Sequence, residues 1–190
     1  MRESVLLGGG SFWGLDAALS ALAGVLEVCP GYAGGSVSNP TKQLVDSGVS
    51  GHVEVVRVVY NPDVICFRLL LKAFFVLHDP TIANSGELGL PGLQHASVIF
   101  CYTTQQREMA LEKIDQISKQ YKSKGAVQTQ VRPAPKFWDA EPENTGYYLF
   151  NADRDPYCST VLRPILRKFA RQFWPHLCLP ESIRDRNPFE

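Results

Sequence analysis

What this 190-residue sequence lacks narrows its chemistry first. It has no Cys-x-x-Cys pair, and its four histidines show no paired spacing, so no zinc site is expected; no bound cofactor is expected either. Nineteen basic residues cancel nineteen acidic ones, which removes any global electrostatic case for nucleic acid or an anionic membrane surface. The longest apolar stretch, around Leu69 to Leu77, is interrupted by Lys72 and is far shorter than a bilayer span. The apolar run near the N-terminus, Ser4 to Leu7, is shorter than a signal-peptide core, and a cytoplasmic location is the expectation. Repeats and interdomain linkers are missing too. The reading is one domain over residues 1–178, a loose polar tail over 179–190, and a monomer.

What is present is a globular composition, 45% hydrophobic and 11% aromatic. The odd cysteine count, at 29, 66, 101, 158 and 178, reads as reduced thiols, with Cys29, Cys66 and Cys101 buried among apolar neighbours. Strands are expected over Ser4–Leu7, Val25–Tyr32, Val53–Tyr60, Ser97–Tyr102 and Val127–Val131. Helices are expected from Phe12 to about Leu22, over Phe67–Leu77, after a Thr104 cap to near Gly125, and from Pro164 to Trp174. Residues 34–40 and 82–92 read as loops, and 133–157 as irregular. Arg163, Arg167, Lys168 and Arg171 give the last helix a basic, solvated face. Strands and helices interleave but are too few for a doubly wound sheet, which predicts a two-layer α+β domain with a mixed sheet.

Two segments could carry chemistry. Gly8-Gly9-Gly10-Ser11-Phe12-Trp13-Gly14 lies where a strand ends and a helix begins. Free amides and the positive dipole end would stabilise an anion there, and a cysteine in that place would be an activated thiolate. A serine stays protonated unless a base adjoins it, so Ser11 reads either as a site residue or simply as an N-cap. The G-x-S-x-G elbow of serine hydrolases fails because Trp13 stands at its last position, and no lysine follows the glycines as in a phosphate loop. The second segment is Gly51-His52-Val53-Glu54. Glu54 shares a strand face with Val56, Val58 and Tyr60, which points its carboxylate either into an apolar site as a proton donor or, at the strand end, to solvent.

The segments GGGSFWG (8–14), GYAGG (31–35), NPT (39–41), SGVSGHVEVVRVVYNP (47–62), HDPT (78–81), GLQHAS (92–97), AE (140–141) and YC (157–158) occur in an order that resembles the peptide methionine sulfoxide reductase A family. The resemblance spans roughly residues 4 to 170 and implies that family's α+β fold with a ferredoxin-like α/β plait core. It implies peptide-methionine (S)-S-oxide reduction as part of protein repair under oxidative stress. In that reaction a cysteine attacks the sulfoxide sulfur, becomes a sulfenic acid, and is recycled through a disulfide reduced by thioredoxin or another thiol. By the same resemblance Phe12 and Trp13 wall the methionine pocket, Glu54 is the acid, and Cys158 matches a recycling cysteine.

The departures all fall in the site. Ser11 stands for the nucleophilic cysteine, Lys42 for the tyrosine of a PTY motif, His95 for a second tyrosine, and Ala96 for an arginine. Leu90 lies where the family carries an aspartate, in an 85–91 loop with one extra residue, and Asn144 replaces a residue of an A-E-x-x-H-Q motif. The expectation is a pseudoenzyme with Lys42 or His95 drawn close to Glu54. The alternatives are reduction through another thiol such as Cys158, with a methionine-sulfoxide peptide as substrate and thioredoxin as partner, or a partner-binding role.

Overall fold

The computed structural model describes residues 1–82, 92–122, 124–178 and 189. Leu90 and the expected tail, Phe189 excepted, lie outside the described residues.

Six strands form one sheet in the order β5-β4-β1-β3-β2-β6. They are β1 (Glu3–Gly8), β2 (Val25–Ala33), β3 (Val53–Tyr60), β4 (Val98–Cys101), β5 (Gln130–Pro133) and β6 (Phe137–Asp139). All neighbours pair antiparallel except β4 and β5, which are parallel. The helices are α1 (Phe12–Ser20), α2 (Lys42–Asp46), α3 (Phe67–Phe74), α4 (Thr104–Gln120), α5 (Tyr147–Asn151) and α6 (Arg163–Phe173). This is the mixed-sheet α+β domain expected from the sequence.

The period of two along the strands separates two cores. Val5, Leu7, Val56, Val58, Tyr60, Ile99 and Cys101 face the helices, while Leu6, Val53, Val55, Val98 and Phe100 build a smaller cluster on the other face. Against the first face α1 buries Phe12, Leu15, Ala18 and Leu19, and α6 buries Leu166, Phe169, Ala170 and Phe173. At ~25 cal/mol per Å² removed from water, each of the larger of these side chains contributes about 1.5–3 kcal/mol. Glu54 occupies the helix-facing side of β3, opposite Tyr32 of β2.

Several expectations need correction. The third helix stops at Phe74, and the fourth is capped by Thr103, whose hydroxyl accepts from Gln106 N. The fifth strand lies over Gln130–Pro133 because its register follows β4, Val98 opposite Gln130 and Cys101 opposite Pro133. The stretch 133–157 contains β6 and α5, and α2 was not anticipated at all. Cys101 is buried, but Cys66 caps α3 and is exposed, and Cys29 is half-buried on the outer part of β2. Local apolarity misleads at Cys66 because it stands at the extended N-cap position, outside the apolar stripe of α3, and makes no side-chain capping bond. Phe189, within the expected tail, is buried against Tyr148.

One core group sets a pH dependence. His78 is buried, with Nδ1 3.2 Å from Phe74 O and Nε2 2.8 Å from Ser97 Oγ, which in turn meets Thr129 Oγ1 at 2.7 Å. Burial pushes the imidazole down to about 4. Above pH ~6.5 both folded and unfolded chains hold it neutral, so its contribution is constant there. Between ~6.5 and 4 the unfolded chain takes up a proton that the folded one excludes, and stability falls by about 3 kcal/mol. Urea unfolding of the native chain and His78→Gln from pH 7 to 4.5 checks this: the slope should be shallower in the variant.

Candidate active site

The strand-to-helix turn is built by glycine. Gly10 has φ +83°, a conformation that favours glycine, and a Cβ at Gly9 would lie 2.9 Å from the His78 ring and from Phe74. Ser11 follows with extended backbone, buried, its Oγ accepting from Trp13 N at 3.3 Å. It is therefore the N-cap of α1, as one of the two sequence readings has it.

The other amides at the start of α1 are also engaged. Phe12 N donates to Glu54 Oε2 at 3.1 Å, and Gly14 N to Ser11 O at 3.3 Å. With those donors committed, Phe12, Trp13 and Gly14 leave no pair of amides for a developing oxyanion, which removes the serine-hydrolase reading a second time.

Glu54 is 1% exposed, so of its two sequence readings the buried one holds. Its second oxygen, Oε1, accepts from Lys42 Nζ at 2.9 Å, and His95 Nδ1 lies 3.9 Å from Oε2. Both Lys42 and His95 thus approach Glu54, as expected. Lys42 Nζ also sits 3.0 Å from each oxygen of Asp46, one helical turn on, and lies 5.6 Å from the Phe12 ring centroid and 5.3 Å from that of Trp13. Burial alone would lower the lysine, but the charge and hydrogen bonds of Glu54 and Asp46 outweigh it and raise its pKa. The aromatic wall is therefore covered by an ammonium group.

A second layer fixes these parts. Trp13 Nε1 donates to Asn144 Oδ1 at 3.0 Å, and Asn144 Nδ2 to Glu141 Oε2 at 3.2 Å. Glu141 accepts from Tyr32 Oη and from Lys42 N, both at 2.7 Å. Burial would raise Glu141, yet these hydrogen bonds hold it below the ordinary range; burial, then the hydrogen bond to Glu141, pushes Tyr32 up. Asp16 of α1 accepts from Gly146 N at 2.8 Å, which anchors α5 so that Tyr147 stacks on Trp13 at 3.8 Å between centroids. His52 is structural: Nδ1 accepts from Gly35 N, so Nε2 carries the proton donated to Val37 O.

A cavity of about 210 Å³ opens beside this group, lined by Ser11, Trp13, Lys42, Glu54, His95 and Tyr157 among others. The site residues expected at 11, 13, 42, 54 and 95 are thus brought together, and Phe12 backs them. Cys158 is in a turn of π-helix, Cys158–Leu162, fully buried, and burial followed by the Asp155 charge pushes its thiol up to about 11. It is not among the residues lining the cavity. Sequence reasoning missed Asp46 and Tyr157. The four-residue spacing of Lys42 and Asp46 would have found Asp46, had the helix been recognised.

The comparisons agree on one family. A family model described as peptide methionine sulfoxide reductase matches residues 3–177. A peptide methionine sulfoxide reductase MsrA of Chromobacterium violaceum is 42% identical over 171 residues, 90% of this chain and 96% of the relative. Among solved structures, methionine sulfoxide reductase A of Corynebacterium diphtheriae superposes with a TM-score of 0.76 at 28% identity, over 82% of this chain and 78% of that one. Reduced Mxr1 from Saccharomyces cerevisiae gives 0.75 at 26% identity, over 81% and 88%.

Proposed function

The chain belongs to the peptide methionine sulfoxide reductase family, and we propose that it keeps the family's fold and pocket without the reductase turnover. The observation that carries this is the combination of a capping serine at the nucleophile position with an ammonium ion paired to Glu54. A thiol can accept the sulfoxide oxygen because sulfur forms a sulfenic acid; a serine oxygen has no such oxidation step. Both Glu54 oxygens already act as acceptors, so the residue that would hand a proton to the departing oxygen is committed to holding Lys42 and Phe12 N. Without a sulfenic acid no disulfide forms, and thioredoxin has nothing to reduce.

Reduction through Cys158 finds no support in the geometry. The thiol is fully buried and poorly ionised, while attack on a sulfoxide needs an accessible thiolate. Incubating the native chain and Cys158→Ala with a methionine-S-sulfoxide peptide and dithiothreitol tests both points. Neither should release methionine peptide above the buffer blank. Turnover by the native chain that Cys158→Ala abolishes would establish the alternative thiol; turnover by both would overturn the reading altogether.

A further inference from the structure

The arrangement around Lys42 is a complete receptor for an alkylammonium group. Two carboxylates meet the nitrogen, Glu54 at 2.9 Å and Asp46 at 3.0 Å, and two aromatic rings face it at 5.6 and 5.3 Å. Attraction of a cation to ring faces is strongest where water is excluded, and Phe12 is fully buried. Most of the receptor is not built by Lys42. Phe12 and Trp13 are fixed by α1, and Glu54 by β3 and the Phe12 amide. Lys42 itself is on the five-residue α2, its side chain 27% exposed, and the cavity of about 210 Å³ borders it.

The cavity carries further marks of a place for a donor. Among the described residues, His95 Nδ1 and Tyr157 Oη are buried and find no hydrogen-bond partner, although both residues line it. The formal lining charge of Glu54 and Asp46 against Lys42 is one negative. An anion is disfavoured there, and a guest with several N–H donors and a positive charge would meet both the Tyr157 hydroxyl oxygen and the charge.

We propose that this site is an ammonium receptor occupied by the chain's own Lys42, which an external alkylammonium group, such as a lysine side chain of another protein, enters when Lys42 turns out to solvent. Lys42 is then an internal competitor. The proposal goes beyond the loss of turnover and is tested without any redox readout, so the two stand or fall separately.

The test titrates methylammonium chloride against the native chain, Lys42→Ala and Lys42→Ala/Glu54→Gln, with sodium chloride at equal ionic strength as the control, and reads the thermal unfolding midpoint. Lys42→Ala should show a saturable rise specific to methylammonium. The native chain should need at least roughly 10-fold more for the same rise, because a competitor that fills the site lowers apparent affinity by the occupied fraction. The double variant should show no rise beyond the sodium control. No saturable response in Lys42→Ala, or equal midpoints of titration for it and the native chain, overturns the proposal. Should Lys42→Ala not fold in sodium chloride, Lys42→Gln carries the same comparison.

Discussion

Ser11→Cys alone is expected to reduce a methionine-S-sulfoxide peptide about 100-fold more slowly than Ser11→Cys/Lys42→Tyr, the range in which a positioned general acid acts. The single change supplies the sulfur. Its place at the start of α1, 3.3 Å from Trp13 N in the serine form, favours a thiolate there. It does not release Glu54, whose Oε1 stays 2.9 Å from Lys42 Nζ, and it does not uncover the Phe12 and Trp13 faces on which an S-methyl group would rest. Replacing the lysine by tyrosine removes the ammonium group from Oε1 and adds a hydroxyl donor. Single-turnover release of methionine peptide, measured for both variants, checks the ratio. Equal rates would show that Lys42 is no obstacle and that Ser11 is the decisive loss.

The asymmetry between these two changes marks what the sequence could reveal. Alternation along Val53–Tyr60 put Glu54 on one face with Val56, Val58 and Tyr60 but left solvent open to it at the strand end, and the Gly-Gly-Gly run ahead of an apolar helix offered Ser11 as a cap or a site residue. In each case the structure takes the locally signalled alternative, a buried carboxylate and a cap. The approach of Lys42 and His95 to Glu54 came from the resemblance, which assigns all three to one pocket. That Lys42 covers the rings and adds Asp46 was not legible, because it depends on α2, a five-residue helix whose sequence Lys-Gln-Leu-Val-Asp buries Val45 alone. A segment with a single buried residue leaves almost no periodic trace. The Glu141 hub was equally hidden. It joins Tyr32, Lys42 and Asn144 across up to 109 positions of sequence, and a long-range acceptor has no local signature.

The pairing of Lys42 with Glu54 should also be visible as coupling in stability. Lys42→Met leaves a carboxylate that is 1% exposed with the Phe12 amide as its remaining hydrogen-bond donor and His95 Nδ1 3.9 Å away, a change that costs about 3 kcal/mol, the low end for breaking a buried pair because the lysine is partly solvated. Glu54→Gln keeps one acceptor oxygen, which can serve Phe12 N or Lys42 but not both, and turns an amide donor toward one of two existing donors; about 2 kcal/mol is expected. The double variant should lose far less than the sum. The introduced methionine can lie over Phe12 and Trp13 with no charge to satisfy, and the carbonyl oxygen of the introduced glutamine is then free for the Phe12 amide alone. The interaction energy across the cycle should be about 2 kcal/mol, well above the ~0.5 kcal/mol within which independent sites add. Urea unfolding of the four chains at pH 7 measures it. Additivity would mean that Asp46 alone holds the ammonium, that Glu54 is kept for its bond to Phe12 N, and that Lys42 could leave the pocket at little cost.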